Sequence, residues 1–231
     1  MGTEPGRPVI ALVPPSCCGA GYFRRLRRAL PAGIDVRALE LPGHGRRYAQ
    51  DFATDARAVV ADALAQLGGR VDVVYGESLG AYVGLALVAA LGEGRGPRLV
   101  VASNVPPAGR RVVADEDVAT PRAAVATLTA MGGVIPDEVL GDPELLVGAY
   151  PMIRADLLLS RSFVETAGAT TVPGDLTVVA GTDDRSLSGL SGWARHTTGH
   201  CAFELLPGGH LLSEGNPSGV ANVLLSVLSG R

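Results

Sequence analysis

Five consecutive residues, Gly76-Glu77-Ser78-Leu79-Gly80, carry the clearest chemical signal in this chain. Glycines at both ends permit a tight, strained turn that lifts a serine hydroxyl off its support, and the flanks suit that turn. An apolar run ending at Tyr75 precedes it and an Ala/Leu-rich segment beginning at Leu79 follows, so a buried strand passes directly into a helix. A helix starting at Leu79 would aim backbone N–H groups at a developing oxyanion. A serine hydroxyl is a weak nucleophile near neutral pH and needs a base beside it. Among the four histidines, His210 is the best placed: Leu206-Pro207-Gly208-Gly209-His210 forms a turn between the last predicted strand and the final predicted helix. His196 and His200 lie around the end of a polar helical pattern and read as solvated. His44, in Leu41-Pro42-Gly43-His44-Gly45, reads as a structural residue or part of a substrate rim.

An imidazole acting as base is held in one tautomer by a carboxylate on its other nitrogen. The turn Gly181-Thr182-Asp183-Asp184, after the apolar run Leu176 to Ala180, offers two such acids, Asp183 and Asp184. A second oxyanion donor must come from the loop after the first apolar run, Pro14-Pro15-Ser16-Cys17-Cys18-Gly19. Neither proline has an N–H, so Ser16 and Cys17 are the first residues able to pair with the Leu79 amide. One such donor is typically worth about 2.7 to 4 kcal/mol of transition-state stabilisation. The three cysteines are odd in number, two of them adjacent, with a spacing that fits neither a disulfide framework nor a zinc site, so all read as free thiols and no metal is expected.

The elements that must position these groups follow a strand and helix rhythm. Val9 to Val13, Ile34 to Leu41, Val71 to Tyr75, Leu99 to Ala102, Leu176 to Ala180 and Ala202 to Leu206 read as strands. Between them, Tyr22 to Leu30, Thr54 to Leu67, Leu79 to Leu91 and Leu187 to Thr197 read as helices, with Pro217 to Leu228 closing the chain. That alternation predicts a mostly parallel sheet covered on both faces. From about Asn104 to Gly168 the rhythm breaks, and Thr120-Pro121 and Asp142-Pro143 each place a capping residue before a proline at the first helical position. This predicts a single domain over residues 1–231 with a helical lid inserted at about 104–168, overhanging the carboxyl ends of the strands. Apolar lid residues, Leu128, Met131, Val134, Ile135, Leu145, Leu146, Leu157 and Leu158, suit an acyl chain or simple packing.

Bulk properties narrow the function classes. An apolar fraction of 47 % with only 4 % aromatic residues gives an aliphatic core and excludes disorder. A net charge of -3, with no basic tail, argues against a nucleic-acid partner. No signal-peptide pattern or membrane-length apolar run is present, so a soluble cytoplasmic enzyme, monomeric and without a cofactor, is expected.

Taken together, these residues resemble the type II thioesterases that accompany modular polyketide synthases and nonribosomal peptide synthetases. The likeness covers nearly the whole chain: Tyr22-Phe23-Arg24, the Leu41 to Arg47 turn, the serine elbow, Ser103 ending a strand, Met131-Gly132-Gly133, Arg154-Ala155-Asp156, Gly181 to Asp184, Trp193 and Pro207 to His210. The resemblance implies an α/β-hydrolase fold and hydrolysis of acyl groups from the phosphopantetheine arms of carrier proteins, clearing misloaded or stalled chains. It assigns the triad to Ser78, Asp184 and His210, since related hydrolases place the acid fourth in a Gly-x-x-Asp turn, and the oxyanion donors to Ser16 and Leu79. The family usually has His-Ala-Gly-Gly where this chain has Pro15-Ser16-Cys17-Cys18, and His or Tyr where it has Glu77. An acidic carrier protein would meet a basic surface at Arg24, Arg25, Arg27 and Arg28 with Arg46 and Arg47. Two other readings share the same residues: a product-releasing thioesterase or small-molecule esterase, and a catalytically silent hydrolase-fold binding protein.

Overall fold

Six apolar runs pair in parallel, in the order β2-β1-β3-β4-β5-β6, in a computed structural model that describes residues 6–92 and 96–230. The strands are β1 (Val9–Val13), β2 (Asp35–Ala38), β3 (Val73–Glu77), β4 (Arg98–Ala102), β5 (Leu176–Gly181) and β6 (Cys201–Leu206). Strands β1, β3 and β5 are buried along their whole length and carry mainly apolar residues, while β2 and β6 form the partly exposed edges. The predicted strand Ile34 to Leu41 is cut to Asp35–Ala38 at one of these edges. Beyond it Leu39 still donates to the Leu12 carbonyl at 2.8 Å, and Leu39 and Leu41 turn into the core.

Helices cover both faces: α1 (Arg24–Ala29), α2 (Ala56–Leu67), α3 (Leu79–Leu91), α4 (Pro121–Ala130), α5 (Asp137–Gly141), α6 (Pro143–Ala167), α7 (Leu212–Gly215) and α8 (Pro217–Ser229). One core layer joins the sheet to α2, α3 and α6 through residues such as Val59, Leu85 and Phe163; the opposite layer joins it to α1 and α8 through Leu26 and Leu224. Asp55 caps α2 by accepting from Ala58 N, and Gly68, in the left-handed region, ends it. The predicted helix Tyr22 to Leu30 is a 3₁₀ turn, Ala20–Phe23, leading into α1.

Between β4 and β5 lie α4, α5 and α6, with Thr120 and Asp142 capping α4 and α6 through their side chains. Leu128 of α4 with Ile153 and Leu157 of α6 forms, together with Val113 from the preceding segment, a separate apolar cluster. We refer to α4 and α5 with the first half of α6 as the cap. The helix expected over Leu187 to Thr197 is instead a 3₁₀ turn, Leu190–His196, preceded by left-handed Gly189. No helix among the described residues is long and apolar enough to cross a membrane.

The strand order fixes where the chemistry can sit. From β1 the chain moves one way to β2 and later the other way through β3, so the loops after β1 and β3 diverge at a topological switch point. Those loops hold Ser16 to Gly19 and Ser78.

Candidate active site

At the end of β3, Ser78 has φ 54° and ψ -120°, a conformation that costs a non-glycine residue about 1–3 kcal/mol and that its neighbours enforce. Its N–H donates to the Ala102 carbonyl on β4 at 2.9 Å, and its carbonyl accepts from Ala81 N at 2.9 Å. The Asn104 side chain donates to the same carbonyl at 2.7 Å. Asn104 is itself fixed, since its carbonyl accepts the Trp193 indole N–H at 2.9 Å. A β-carbon on Gly76 would collide with the backbone of Gly80 and Ala81, and one on Gly80 with the carbonyls of Val13 and Pro14. Both glycines are therefore required by close approach of main chain to main chain.

His210 reaches this serine from the loop after β6. Its Nε2 lies 2.9 Å from Ser78 Oγ, and its Nδ1 lies 2.7 Å from Asp184 Oδ2. A carboxylate can only accept, so Nδ1 carries the proton and Nε2 presents its lone pair to the serine hydroxyl. The loops after β5 and β6 are laced together: Thr182 N donates to the Leu206 carbonyl and Asp183 N to the Gly208 carbonyl, each at 2.9 Å. A β-carbon on Gly181 would strike the Gly208 and Gly209 carbonyls, so that glycine too is set by backbone contact. Of the two candidate acids, Asp184 faces the imidazole, while Asp183 is exposed.

Sequence reasoning missed Ser186, whose N–H and hydroxyl both donate to Asp184 Oδ1, at 3.0 and 2.6 Å. An Asp-x-Ser turn was the available signal. Burial opposes ionisation of Asp184, but hydrogen bonds from His210 and Ser186 outweigh it and hold the carboxyl below the usual carboxylate range. From the cap, Gly132 (φ +94°) lies so near that a β-carbon there would meet the His210 ring and the Ser186 hydroxyl.

The loop after β1 is held differently. Cys17 stands at φ 61°, and its N–H donates to Asp156 Oδ2 on α6 at 2.6 Å. The same oxygen lies 3.1 Å from His44 Nε2, while His44 Nδ1 lies 3.0 Å from the Pro42 carbonyl. Both ring nitrogens thus face acceptors, the arrangement of an imidazolium. Burial works against that charge, but the Asp156 carboxylate prevails and His44 is raised above the ordinary histidine range. His44 and Asp156 form a pair almost closed to solvent, and His44 has a structural position rather than one on the cavity rim. Neither Ser16 N nor Leu79 N has an acceptor among the described residues, so both are free to donate.

Over Ser78 lies a cavity of about 450 Å³, floored by Ser16, Ser78 and His210 and walled by Leu128, Val134 and Ile135 of the cap. Leu157 packs inside the cap cluster and Leu145 is half exposed to solvent, so the apolar lid residues divide between lining and packing. Cys17 and Cys18 face this cavity, yet burial and the nearby carboxylates raise both thiols, Cys18 to about 12, so neither is a ready thiolate. Among the described residues no group of three or more His, Cys, Asp or Glu side chains could hold a metal ion.

Two expectations about charged residues need correction. His196 is buried rather than solvated: its ring packs on Trp193 at 5.4 Å and its Nδ1 donates to the Thr170 carbonyl at 2.8 Å. His200 is exposed. Arg47 turns inward, forming a two-pronged ion pair with Asp62 at 2.6 and 2.7 Å, so it does not belong to a free basic surface. The four arginines of α1 are exposed, and Arg25 reaches the Glu214 carbonyl at the cavity rim, 3.2 Å away.

Comparison with known proteins agrees with this architecture. A family model described as thioesterase domain matches residues 8–224. The AMB antimetabolite synthetase AmbE of Pseudomonas aeruginosa is 31 % identical over 223 residues, which is 90 % of this chain and 10 % of that protein. The chain thus spans about a tenth of the length of that relative. Among solved structures, ClbQ from the colibactin NRPS/PKS pathway superposes with a TM-score of 0.82 at 23 % identity, covering 96 % of this chain and 97 % of its own. The type II thioesterase BorB from the borrelidin biosynthetic cluster gives a TM-score of 0.78 at 22 % identity, covering 99 % and 95 %. This chain belongs to the thioesterase domain family and has the α/β-hydrolase fold.

Proposed function

We propose that this protein is a type II thioesterase that removes misloaded or stalled acyl groups from the phosphopantetheine arms of carrier proteins, through an acyl-enzyme on Ser78. The observation that carries the reading is the unbroken Ser78 to His210 to Asp184 relay, at 2.9 and 2.7 Å, on the floor of an apolar cavity. Ser78 Oγ attacks the thioester carbonyl as His210 Nε2 takes its proton, and the free amides of Ser16 and Leu79 receive the oxyanion. Collapse of the tetrahedral adduct breaks the carbon–sulfur bond, and His210 returns the proton to the departing thiol. Water, deprotonated by the same nitrogen, then releases the acid and regenerates the serine. Asp184, held ionised, fixes the tautomer and stabilises the imidazolium.

The partner reading draws on the similarity to BorB and to AmbE, a synthetase, and on the surface beside the cavity mouth. Arg24, Arg25, Arg27 and Arg28 give α1 a positive edge, tied to the rim by the Arg25 contact with Glu214. Such an edge suits the acidic surface of a carrier protein and the phosphate of its arm.

Intact-mass measurement of acyl loss from a panel of loaded carrier proteins tests the reading. Wild type should strip the acyl group and Ser78→Ala should be slower by about 10⁴-fold or more with an unchanged melting temperature. Charge reversal at Arg24 and Arg28 should slow release from the carrier and leave a free pantetheine thioester unaffected. Carrier-bound substrate left intact by wild type, with rapid cleavage of oxygen esters, would rule out the proposed substrate class. A folded wild type whose Ser78 resists a fluorophosphonate probe would rule out the nucleophile.

A further inference from the structure

The residue before Ser78, Glu77, is a glutamate with no exposed surface. Glu77 and Tyr75 are two apart on β3 and so share the face of the sheet that packs against α1 and α7. The Glu77 carboxyl accepts from Tyr22 OH at 2.9 Å, from Tyr75 OH at 2.9 Å, from Ser213 Oγ at 2.5 Å and from Ser213 N at 3.3 Å. These partners are all neutral. A carboxylate offers about four lone-pair positions and no donor, which matches three hydroxyls and one amide. Burial outweighs the hydrogen bonds from Ser213, Tyr22 and Tyr75 and leaves the Glu77 carboxyl raised above the usual carboxylate range.

What matters is where those donors sit in the chain. Tyr22 lies in the 3₁₀ turn that follows the loop carrying Ser16, Cys17 and Cys18, and its ring lines the cavity. Ser213 lies in α7, three residues beyond His210. Glu77 itself adjoins Ser78. One buried side chain therefore bonds to each of the three segments that bring the nucleophile, the base and an oxyanion amide together.

Resting on the acyl-enzyme reading above, we propose that Glu77 is a positioning residue for thioester hydrolysis, clamping the Tyr22 and Ser213 segments to the elbow so that His210 and the Ser16 amide are seated on Ser78. It touches no reacting atom. Its effect is on alignment, where displacements of tenths of an ångström change the transition state more than substrate binding.

Glu77→Gln keeps the volume and removes half of the acceptor capacity, leaving an amide NH₂ facing hydroxyls that need acceptors. The expected result is a kcat for acyl-pantetheine thioester lowered about tenfold or more, with KM within about twofold of wild type. The rate constant for fluorophosphonate labelling of Ser78 should fall in parallel. Ser213→Ala and Tyr22→Phe, which delete single donors with little change in shape, should each lower kcat severalfold, and combining Ser213→Ala with Glu77→Gln should cost no more than Glu77→Gln alone. These two variants decide the matter if Glu77→Gln does not fold. Wild-type kcat in stable Ser213→Ala and Tyr22→Phe proteins would overturn the clamp, as would a change confined to KM or additive losses in the double variant. If wild type itself shows no Ser78-dependent turnover, the underlying reading fails and the clamp with it; normal wild-type turnover with unaffected variants removes the clamp alone.

Discussion

The loops after β1 and β3 leave the sheet side by side and supply complementary halves of one site, but they are held by opposite means. The elbow after β3 is shaped by main chain meeting main chain: Gly76 passes against Gly80 and Ala81, Gly80 against Val13 and Pro14, and the strained Ser78 is tied to Ala102 one strand away. The loop after β1 begins with two prolines, contains Cys17 at positive φ, and depends on a carboxylate 139 residues distant, Asp156 on α6. A turn made of glycines keeps its shape in any context that preserves the strand and helix beside it. A turn made of prolines and cysteines needs an outside anchor, and here that anchor comes from α6.

Removing the anchor should show this most strongly. Asp156→Ala strands the Cys17 amide and a buried His44, and losing one partner of a buried pair typically costs about 3–5 kcal/mol. Chemical denaturation should report that loss, and kcat should fall toward the roughly 10²- to 10³-fold expected for losing an oxyanion donor, while fluorescence of Trp193 in the native baseline stays put. An Asp156→Ala protein as active as wild type would mean that the loop holds itself. Gly80→Ala probes the other half and should be milder in stability, about 1–3 kcal/mol, since its β-carbon presses on the Val13 and Pro14 carbonyls and the backbone can yield a little. Because those carbonyls precede Ser16, this substitution should also lower kcat; unaltered denaturation and turnover would show the close approach to be unnecessary.

Acidity should separate the loop after β1 from the loop after β5 with the smallest effect. His44 is raised in the folded protein, so its contribution is complete below the unfolded histidine value, about 6.5, and is lost as pH rises through its folded value. Asp184 is lowered, so its contribution is present above the unfolded value, about 3.9, and is lost as pH falls through its folded value. Hydrogen exchange at Cys17 to Gly19 should therefore quicken on the alkaline side, and exchange at Asp184 to Ser186 on the acid side. Matching pH dependence in both segments would contradict the separation.

The same contrast explains what the sequence disclosed. The elbow, Val9 to Val13 and Leu79 to Leu91 were readable because their signals are local: apolar runs of strand length and glycines at fixed offsets. His210 was readable because few histidines compete and its loop follows a strand directly. Asn104, which holds the Ser78 carbonyl, was invisible, because its role exists only through a contact across 26 residues. Asp156 was noted only as part of a family pattern, and its pairing with His44 and Cys17 could not be read from spacing. His196 was misread because the polar residues around it suggested a solvated helix, whereas Trp193 draws the whole 3₁₀ turn against the core.

Gly132 sets a boundary on how this enzyme can be remodelled. Its bare α-carbon is the point where the cap rests on the imidazole of His210, and even a methyl group would displace the ring or push the cap outward. Cap segments grafted from other hydrolases to change chain-length preference can differ widely along α4 and α5, but each must arrive at this spot with nothing larger than hydrogen. His210 thereby imposes a template on the very segment that walls the cavity over Ser78.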